Sequence, residues 1–549
     1  MDQWEEARQK EHEQIEEAVT KNGGNRPAPT VPQHWVRLRI ATGTSGGGIC
    51  ALLLARALHY RFKPASAKAG HETWAANPFY SVWVDDIDIS HFLENTDLVA
   101  QAGGSPPAVA ALLNGKILEA IAEKGLKYCP AEDQAPLPCR RYVFNPLPIV
   151  VTYTHLTGVP YKVVFRGEAG RSEYFINHAD YIRFYADYVG APTFDPRAAA
   201  PDGKHIGRPP LPWTNFAQYA LGTSAFPVGL PARIVQRDAD NYKYRFVYDP
   251  ASASYEWLTP DWANFCSLEP GTPPYQFAAV DGGCTDNEPI FLARQVLDGI
   301  GGEPAKLTST ETNRAVILVD PFADAPKTSI PADSMTLTSL LAPTLAMFVQ
   351  SNRFATADLV QFLHPEVYNR LLVTPRRSNP APGGAAPAFL TGGDALCGAG
   401  LGGFLGFMSA EFRHHDFMLG RRNCQAFLAW SLTLDKRNPV FAGPRPAIGV
   451  LPPGVTIPEG ECPVIPLYGT AANIEPEPAW PNKGSFDAKS LEPALEARAK
   501  EMLHRVPGFL KFNEIEELGF AAVRGLLAGK ISKKVIEKIE SEMKGKALL

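Results

Sequence analysis

A serine set among glycines, early in the chain, has the spacing of a catalytic nucleophile. Residues 43–47 read GTSGG, which matches G-x-S-x-G with Ser45 at the centre. Residues 35–40 (WVRLRI) alternate between apolar and polar and predict a strand, while residues 49–60 predict a buried helix. A serine on a sharp turn between a strand and a helix holds its hydroxyl clear of the sheet, where it can attack a carbonyl group.

The glycines of this turn have separate expected roles. Gly43 and Gly47, two residues before and after the serine, relieve the crowding that so sharp a turn creates. The N–H group of Gly46, at the start of the predicted helix, would donate a hydrogen bond to an oxyanion that forms at the serine. The alternative is a phosphate-binding turn, but the lysine of a P-loop is absent here.

A serine hydroxyl needs a base, and the usual base is a histidine held by an aspartate. The most visible histidines are His414 and His415, which precede Asp416 late in the chain. They fall in a stretch predicted to be helical, and adjacent residues of a helix point in different directions. We therefore favour a structural role for them and keep a histidine-dependent esterase of the α/β-hydrolase type as an alternative.

The other base is a carboxylate, and Asp281 is placed for this role. Residues 276–283 (QFAAVDGG) predict a buried strand that leaves the sheet at Asp281 through Gly282 and Gly283. Ligands collect at the rim of an α/β sheet, where the strands end. Asp281 could there accept the serine proton directly, and the alternative is an ordinary Asp-Gly turn.

The composition is that of a folded protein with no sign of nucleic-acid binding. The 549 residues are 45% hydrophobic and 20% charged, with a formal net charge of −5 and no clustered basic footprint. Residues 1–22 lack the apolar stretch of a secretory signal, and no run of about 18 apolar residues predicts a membrane-spanning helix. We therefore expect a cytoplasmic protein whose contact with a membrane surface is transient and peripheral.

Neither a metal nor a cofactor is expected. The eight cysteines are irregularly spaced without a C-x-x-C pair, which favours buried reduced thiols over a zinc site or a disulfide scaffold. Residues 398–403 (GAGLGG) fit G-x-G-x-x-G, but no β-rich strand precedes them and no acidic ribose partner follows at the expected distance. A flexible loop or close helix packing is the ordinary explanation of these glycines.

The remaining pattern of strands alternating with helices predicts an α/β fold. LPIVVTYTHLTG and YKVVFRG predict two strands joined by a tight turn at residues 157–158. Helical signals surround residues 181–188, and residues 314–322 (RAVILVDPF) predict a buried strand.

Four segments, taken in order, resemble the patatin-like phospholipase family in its bacterial form. The serine turn at 43–47 is the first, and residues 151–158 (VTYTHLTG) resemble the strand and turn before the family's second half. Residues 222–227 (GTSAFP) resemble its Ala-Ser-x-Ala-x-Pro segment, and residues 281–289 (DGGCTDNEP) resemble its D-G-G/A motif. The resemblance as a whole covers about residues 35–320, and the four segments lie within that range.

The resemblance implies a three-layer α/β fold with a mainly parallel central sheet and helical C-terminal additions. It also implies a Ser–Asp dyad without histidine, in which Ser45 attacks an ester carbonyl and Asp281 accepts its proton. Water activated by the same Asp281 then releases the fatty acid from the acyl-enzyme. The expected partner is a lipid or simpler acyl ester substrate, with no cofactor and no predicted oligomeric state.

The chain departs from the family at one place. The family has a glycine-rich oxyanion loop, G-G-G-x-R/K-G, before the serine, whereas the roughly 30 residues ahead of the elbow strand hold only Gly23 and Gly24. The chain could begin late relative to its relatives, residues 398–403 could supply the donors, or the protein could be weakly active or inactive. A catalytically silent lipid-binding or scaffold protein of the same fold is therefore a second function.

Composition divides the chain into four expected regions. Residues 1–33 form a polar N-terminal helix and linker, and residues 34–330 form the patatin-like catalytic core. Residues 331–485 form a helical and Pro/Gly-rich extension packed on the core, and residues 486–549 form a helical C-terminal module.

Overall fold

A computed structural model of the chain shows helices and strands interleaved in an α/β protein. The residues it describes are 1–21, 24–99, 108–128, 140–164, 173–186, 216–237, 239–249, 254–267, 273–298, 306–322, 347, 351, 367–379, 389–448, 456–510 and 514–549.

The helices in this part of the chain range from a single turn to more than thirty residues. They are α1 (Asp2–Lys21), α2 (Gly46–Ala57), α3 (His71–Ala75), α4 (Pro78–Tyr80), α5 (Ile89–Leu93), α6 (Lys116–Leu126), α7 (Ala217–Thr223), α8 (Ile290–Asp298), α9 (Ala410–Trp430), α10 (Glu492–Leu510) and α11 (Glu514–Gly545). A π-helical turn, Ser81–Asp85, follows α4.

The strands are mostly short, apart from two long neighbours. They are β1 (Ala41–Gly43), β2 (Leu147–Val163), β3 (Glu173–Ala186), β4 (Arg233–Arg237), β5 (Phe246–Asp249), β6 (Ser254–Trp257), β7 (Tyr275–Asp281), β8 (Val316–Val319), β9 (Arg370–Val373), β10 (Arg376–Ser378), β11 (Phe389–Thr391), β12 (Thr433–Asp435) and β13 (Glu461–Pro463).

Within the described ranges, five strands form one mixed sheet around β2. Residues 147–154 and 159–163 of β2 pair with β3 along one edge. β1 and β7 share the other edge, where β1 runs parallel to residues 149–151 and β7 runs antiparallel to residues 153–155. Because β1 and β7 run towards each other, their carboxyl-terminal ends meet beside Thr152. β4 pairs with the outer edge of β7.

The expectation of a mainly parallel central sheet is not confirmed. In the described residues, β1–β2 is the one parallel pair of this sheet, and the pairs β2–β3, β2–β7 and β4–β7 are antiparallel. The connection from β2 to β3 is too short for the crossover that parallel neighbours need. β7 runs along residues 155 to 153 of β2 towards the end of β1 and is therefore antiparallel to β2. A second parallel pair, β8–β9, forms a separate two-stranded sheet.

Two local predictions in the long strands are wrong. The turn predicted at residues 157–158 is absent, because β2 continues through it with a register shift between Thr154 and Val159 and a positive φ at Gly158. Of the residues 181–188 predicted to be helical, 181–186 are instead the end of β3, whose alternate residues face the core, and 187–188 lie outside the described residues. Pairing with β2 therefore overrides the local helical signal.

Two further strand predictions are correct only in part. The strand predicted at residues 35–40 begins later, at Ala41, and Leu38 forms only an isolated bridge with Val143. The strand predicted within residues 314–322 exists as β8, but it is not buried, since 70% of Val319 is exposed.

One face of the five-stranded sheet carries a large hydrophobic core. Helices α2 and α7 pack on this face, against β2 and its neighbours. The buried side chains include Leu52, Ala55, Ile149, Val151, Tyr153, Ile182, Phe184, Tyr219 and Ala220. This packing fixes the start of α2 and the end of α7 relative to the strand ends.

The C-terminal helices share a second core with the middle of the chain. Its buried members include Phe92, Leu405, Phe412, Ile536, Ile539 and Met543. The N-terminal helix also contacts the rest of the protein, because Asp2 accepts hydrogen bonds from the Tyr142 hydroxyl over 2.6 Å and from Nε of Arg140 over 3.0 Å. The division into four regions stays a prediction.

None of the helices in the described ranges is both long and apolar enough to cross a membrane.

Candidate active site

The serine turn has a strained backbone conformation that requires glycine at position 43. Ser45 follows β1 and precedes α2, with φ 54° and ψ −125°, in a region that residues with a side chain rarely occupy. A Cβ atom on Gly43 would lie 2.2 Å from the carbonyl oxygen of Gly47, so Gly43 must be glycine. The expectation that Gly47 also relieves crowding is wrong, because a Cβ there would meet no atom within 4 Å. The N–H of Gly47 donates to the carbonyl of Thr44 over 2.9 Å.

The structure brings Asp281 to this serine. Asp281 is the last residue of β7, and its Oδ2 accepts a hydrogen bond of 2.6 Å from the Ser45 hydroxyl. Its Oδ1 accepts from the N–H of Gly283 over 2.8 Å, so both carboxylate oxygens are engaged. The chain leaves β7 close to β2, because a Cβ on Gly282 would lie 2.7 Å from the carbonyl oxygen of Thr152.

Burial sets the proton affinity of this carboxylate. Only 5% of Asp281 is exposed. Burial disfavours the charged form and raises the pKa of Asp281 to about 6, while the hydrogen bonds from Ser45 and Gly283 act in the opposite direction. A carboxylate with a pKa of about 6 is ionised at neutral pH and is a better proton acceptor than an exposed aspartate.

A group of threonine hydroxyls holds the chain after β7 against β2. Thr44 and Thr152 share a hydrogen bond of 2.6 Å between their hydroxyls, and both reach the carbonyl of Asp286. Thr154 donates to the carbonyl of Asp281 over 2.8 Å. These contacts hold the residue before Ser45 and the backbone at Asp281 against the same stretch of β2.

The elbow offers one evident oxyanion donor. The Ser45 N–H donates to the hydroxyl of Thr223 over 2.9 Å, and the Gly47 N–H is engaged by Thr44. Gly46 is the first residue of α2, so its N–H has no acceptor within the helix and lies at the positive end of the helix dipole. The indole ring of Trp83 covers this residue, since its Cη2 lies 3.5 Å from the position of a Cβ on Gly46.

The histidines considered as bases lie in other contacts. His414 shares a hydrogen bond of 2.8 Å with the hydroxyl of Tyr80, and its ring packs on Trp74. His415 is buried between Asp416 and Arg377. Neither histidine contacts Ser45, whose hydroxyl donates to Asp281.

Cys397, His415 and Asp416 bring three metal-ligating atoms within 4.8 Å of one another. Arg377 can only donate, so Nε2 of His415 accepts its hydrogen bond and the ring proton lies on Nδ1, 2.8 Å from Asp416. That nitrogen then has no lone pair for an ion, and burial raises the pKa of the Cys397 thiol. The backbone N–H groups of Cys397 and Gly398 also bind Asp416, so the cluster ties the loop before α9 to that helix.

Residues 398–403 lie beside the site without reaching its serine. Leu401, Gly402 and Gly403 have positive φ angles, and the following Phe404 packs on Phe226 with 5.9 Å between ring centroids. No contact in the described ranges joins these glycines to Ser45, so they supply no oxyanion donor in this arrangement.

Sequence reasoning identified the two residues that meet and missed those that hold them. Thr223 lies in the GTSAFP segment, which the sequence marks only by resemblance, and its contact with the serine backbone depends on tertiary structure. Trp83 belongs to no motif in the sequence, and its approach to Gly46 joins segments that are 37 residues apart.

Comparison with known proteins gives one distant relative and no family. Over 516 aligned residues the chain is 29% identical to an uncharacterized protein, y4iI, of Sinorhizobium fredii, with 87% of this chain and 71% of that protein covered. No family model matches the chain. No solved structure matches it either. The name of the relative records no activity, so a functional conclusion depends on the geometry of the site.

Proposed function

We propose that this protein is a serine acyl hydrolase that cleaves acyl esters of lipids through a Ser45–Asp281 dyad. The observation that carries the proposal is the 2.6 Å hydrogen bond from the Ser45 hydroxyl to Oδ2 of Asp281. It joins a serine in a strained elbow to a buried carboxylate with a raised pKa. Strained backbone and perturbed carboxylates both concentrate at active sites.

The reaction follows from these positions. Asp281 accepts the hydroxyl proton as Ser45 Oγ attacks the ester carbonyl, and the Gly46 N–H donates to the oxyanion that forms. The alcohol leaves with the proton from Asp281, and an acyl-enzyme remains on Ser45. Asp281 then takes a proton from water, whose oxygen attacks the acyl carbon and releases the carboxylic acid. The proton returns to Ser45 Oγ.

The arrangement of the four recognised segments supports a patatin-like fold for this reaction. The serine turn at 43–47 and the DGG turn at 281–283 follow strands that meet on one edge of β2, which carries residues 151–158. Residues 222–227 touch the backbone of both dyad residues. Segments separated by long stretches of sequence therefore converge on one hydrogen bond.

The surface beside the dyad supports an acyl substrate. Three exposed apolar side chains, which we call the apolar rim, are Leu112, Phe226 and Val228. Two of them lie on segments joined by a backbone hydrogen bond of 2.9 Å from Leu112 to Val228. Phe226 directly follows Ala225, whose carbonyl accepts from the backbone of Asp281. An acyl chain is the group that such a surface would contact favourably.

Labelling with a fluorophosphonate probe tests the dyad without knowledge of the substrate. Wild type is expected to label, and Ser45→Ala and Asp281→Asn are expected to lose the label while remaining folded. Labelling that survives in Asp281→Asn would exclude Asp281 as the base.

A catalytically silent lipid-binding protein is the second candidate, and one observation favours it. Two of the three N–H groups at the elbow, those of Ser45 and Gly47, already have acceptors. Loss of one oxyanion donor typically costs about 10²–10³ in rate. A folded wild type that binds lipid vesicles and takes no label would establish this second function.

A further inference from the structure

One short segment contacts the backbone of both dyad residues. The hydroxyl of Thr223 accepts from the Ser45 N–H over 2.9 Å. Two residues later, the carbonyl of Ala225 accepts from the Asp281 N–H, also over 2.9 Å. The nucleophile and the base therefore share a support that spans three residues.

This support is held firmly in place. Thr223 ends α7 and is completely buried, and 2% of Ala225 is exposed. Between them, the Ser224 hydroxyl donates to the carbonyl of Ala220 over 2.9 Å. The methyl group of Thr223 fits against Gly48, where a Cβ would lie 2.7 Å from it. Helix α7 packs in turn on β2 and β4, so the segment is tied to the sheet.

Ser45 has a particular need for such a support. Its backbone lies at φ 54° and ψ −125°, which carries a conformational cost for a residue with a side chain. Its N–H points at Thr223, which is completely buried, so water cannot replace the threonine hydroxyl. Without that hydroxyl the N–H would be buried and unpaired, and the strained conformation would lose its main polar support.

We propose that residues 223–225 form a clamp that sets the separation of Ser45 and Asp281, with Thr223 as the positioning residue for the nucleophile. The inference rests on the proposed function, since it assigns the clamp to the same dyad. Ala225 acts through its backbone, so Thr223 is the member whose side chain can be tested. Thr223 touches neither the substrate nor the reacting atoms and acts through the serine backbone.

The test compares Thr223→Val, which keeps the shape but removes the acceptor, with Thr223→Ser, which keeps the acceptor. The rate constant of fluorophosphonate labelling is expected to fall about 10²-fold in Thr223→Val, the loss that a misplacement of about 1 Å can cause. With a soluble butyrate ester, the fall is expected in kcat rather than in KM. Thr223→Ser is expected to label close to the wild-type rate. Thr312→Val is the matched control, because Thr312 is 2% exposed and its hydroxyl binds the carbonyls of Lys306 and Thr308 away from the dyad.

Each outcome decides a separate point. Equal labelling of Thr223→Val and wild type would overturn the clamp, as would a Thr223→Ser variant as slow as Thr223→Val. If wild type itself takes no label, the proposed function fails, and crystal structures of wild type and Thr223→Val decide the clamp instead. A Ser45 Oγ to Asp281 Oδ2 distance that lengthens from 2.6 Å to beyond hydrogen-bonding range in Thr223→Val would support it, and an unchanged distance would overturn it.

Discussion

The hydroxyl of Ser45, just after β1, donates a hydrogen bond of 2.6 Å to Asp281, the last residue of β7. These two strands run towards each other along one edge of β2. The intervening strand residue, Thr152, is the only position of β2 between the two paired stretches. This geometry delivers a hydroxyl and a carboxylate to the same point without a third side chain between them. It also buries the carboxylate, and this burial raises the pKa of Asp281 to about 6.

The pH dependence of activity should report Asp281. The base must be ionised, so kcat/KM is expected to rise with pH through an apparent pKa of about 6 and to level off above it. Below that value, activity should fall about tenfold per pH unit. Rates with a soluble short-chain ester between pH 4 and 8 check this, with activity restored after return to pH 7.5 as the control for unfolding. A profile that stays flat down to pH 5 would contradict the role of Asp281.

Asp281→Asn should stabilise the folded protein. The folded pKa of about 6 lies above the usual 3.8, so the unfolded chain ionises first as the pH rises. Stability is then highest below the lower pKa and falls as the pH rises through the higher one. The buried charge costs about 3 kcal/mol at pH 8 and about half of that at pH 5. In urea unfolding, the gain in unfolding free energy of Asp281→Asn over wild type should be larger at pH 8 than at pH 5. An equal gain at the two pH values would argue against a raised pKa of Asp281.

The two outer glycines of the serine turn should differ in their tolerance of alanine. A Cβ on Gly43 would lie 2.2 Å from the carbonyl oxygen of Gly47, and backbone atoms cannot yield as a flexible side chain can. Gly43→Ala is therefore expected to lose about 2 kcal/mol or more of unfolding free energy and the serine label with it. Gly47→Ala meets no atom within 4 Å and should unfold like wild type. Equal unfolding curves for the two variants would show that the turn is looser than its contacts indicate.

His415 should matter for stability and not for chemistry. Its ring bridges Arg377 and Asp416 in a buried cluster. His415→Ala would remove the ring nitrogen that accepts from Arg377 and would leave Asp416 with its hydrogen bonds from the Cys397 and Gly398 backbone. We expect a lower melting temperature with a labelling rate near that of wild type. His414→Ala is expected to behave likewise, with a smaller loss. Loss of labelling in either folded variant, with labelling retained in Asp281→Asn, would establish the histidine-dependent esterase instead.

The residues that meet could be predicted from sequence because each carries its own local signal. A strand, a glycine turn and a helix surround Ser45, and a buried strand ends at Asp281 before two glycines. The place of Asp281 at the rim of the sheet made it one of two candidate bases for Ser45, and the resemblance favoured it over histidine. The contact depends on the direction of β7 along β2, which is set by pairing between distant segments. Neither segment carries a sequence pattern that predicts this direction.

Local pattern failed where tertiary pairing decided the conformation. Residues 181–186 read as helical yet continue β3, because Ile182 and Phe184 fill the core face of the sheet. The turn expected at Gly158 is a bulge within β2, where the glycine supplies the positive φ without reversing the chain. The clamp at Thr223 could likewise not be predicted from local pattern, because it depends on a hydrogen bond with Ser45, 178 positions away.

The apolar rim should govern the preference for acyl length. Phe226 and Val228 expose 40% and 61% of their surface one and three residues after Ala225, so a long acyl chain leaving the dyad would meet them. Each buried methylene contributes about 0.8 kcal/mol, so Phe226→Ser with Val228→Ser should lower kcat/KM for long-chain esters about tenfold or more. Butyrate esters and fluorophosphonate labelling should change little. Ile474→Ser is the control, because that side chain is 75% exposed away from the rim and should leave both substrates unaffected. An equal loss on short and long esters would mean that the rim supports the fold of the site rather than the acyl chain.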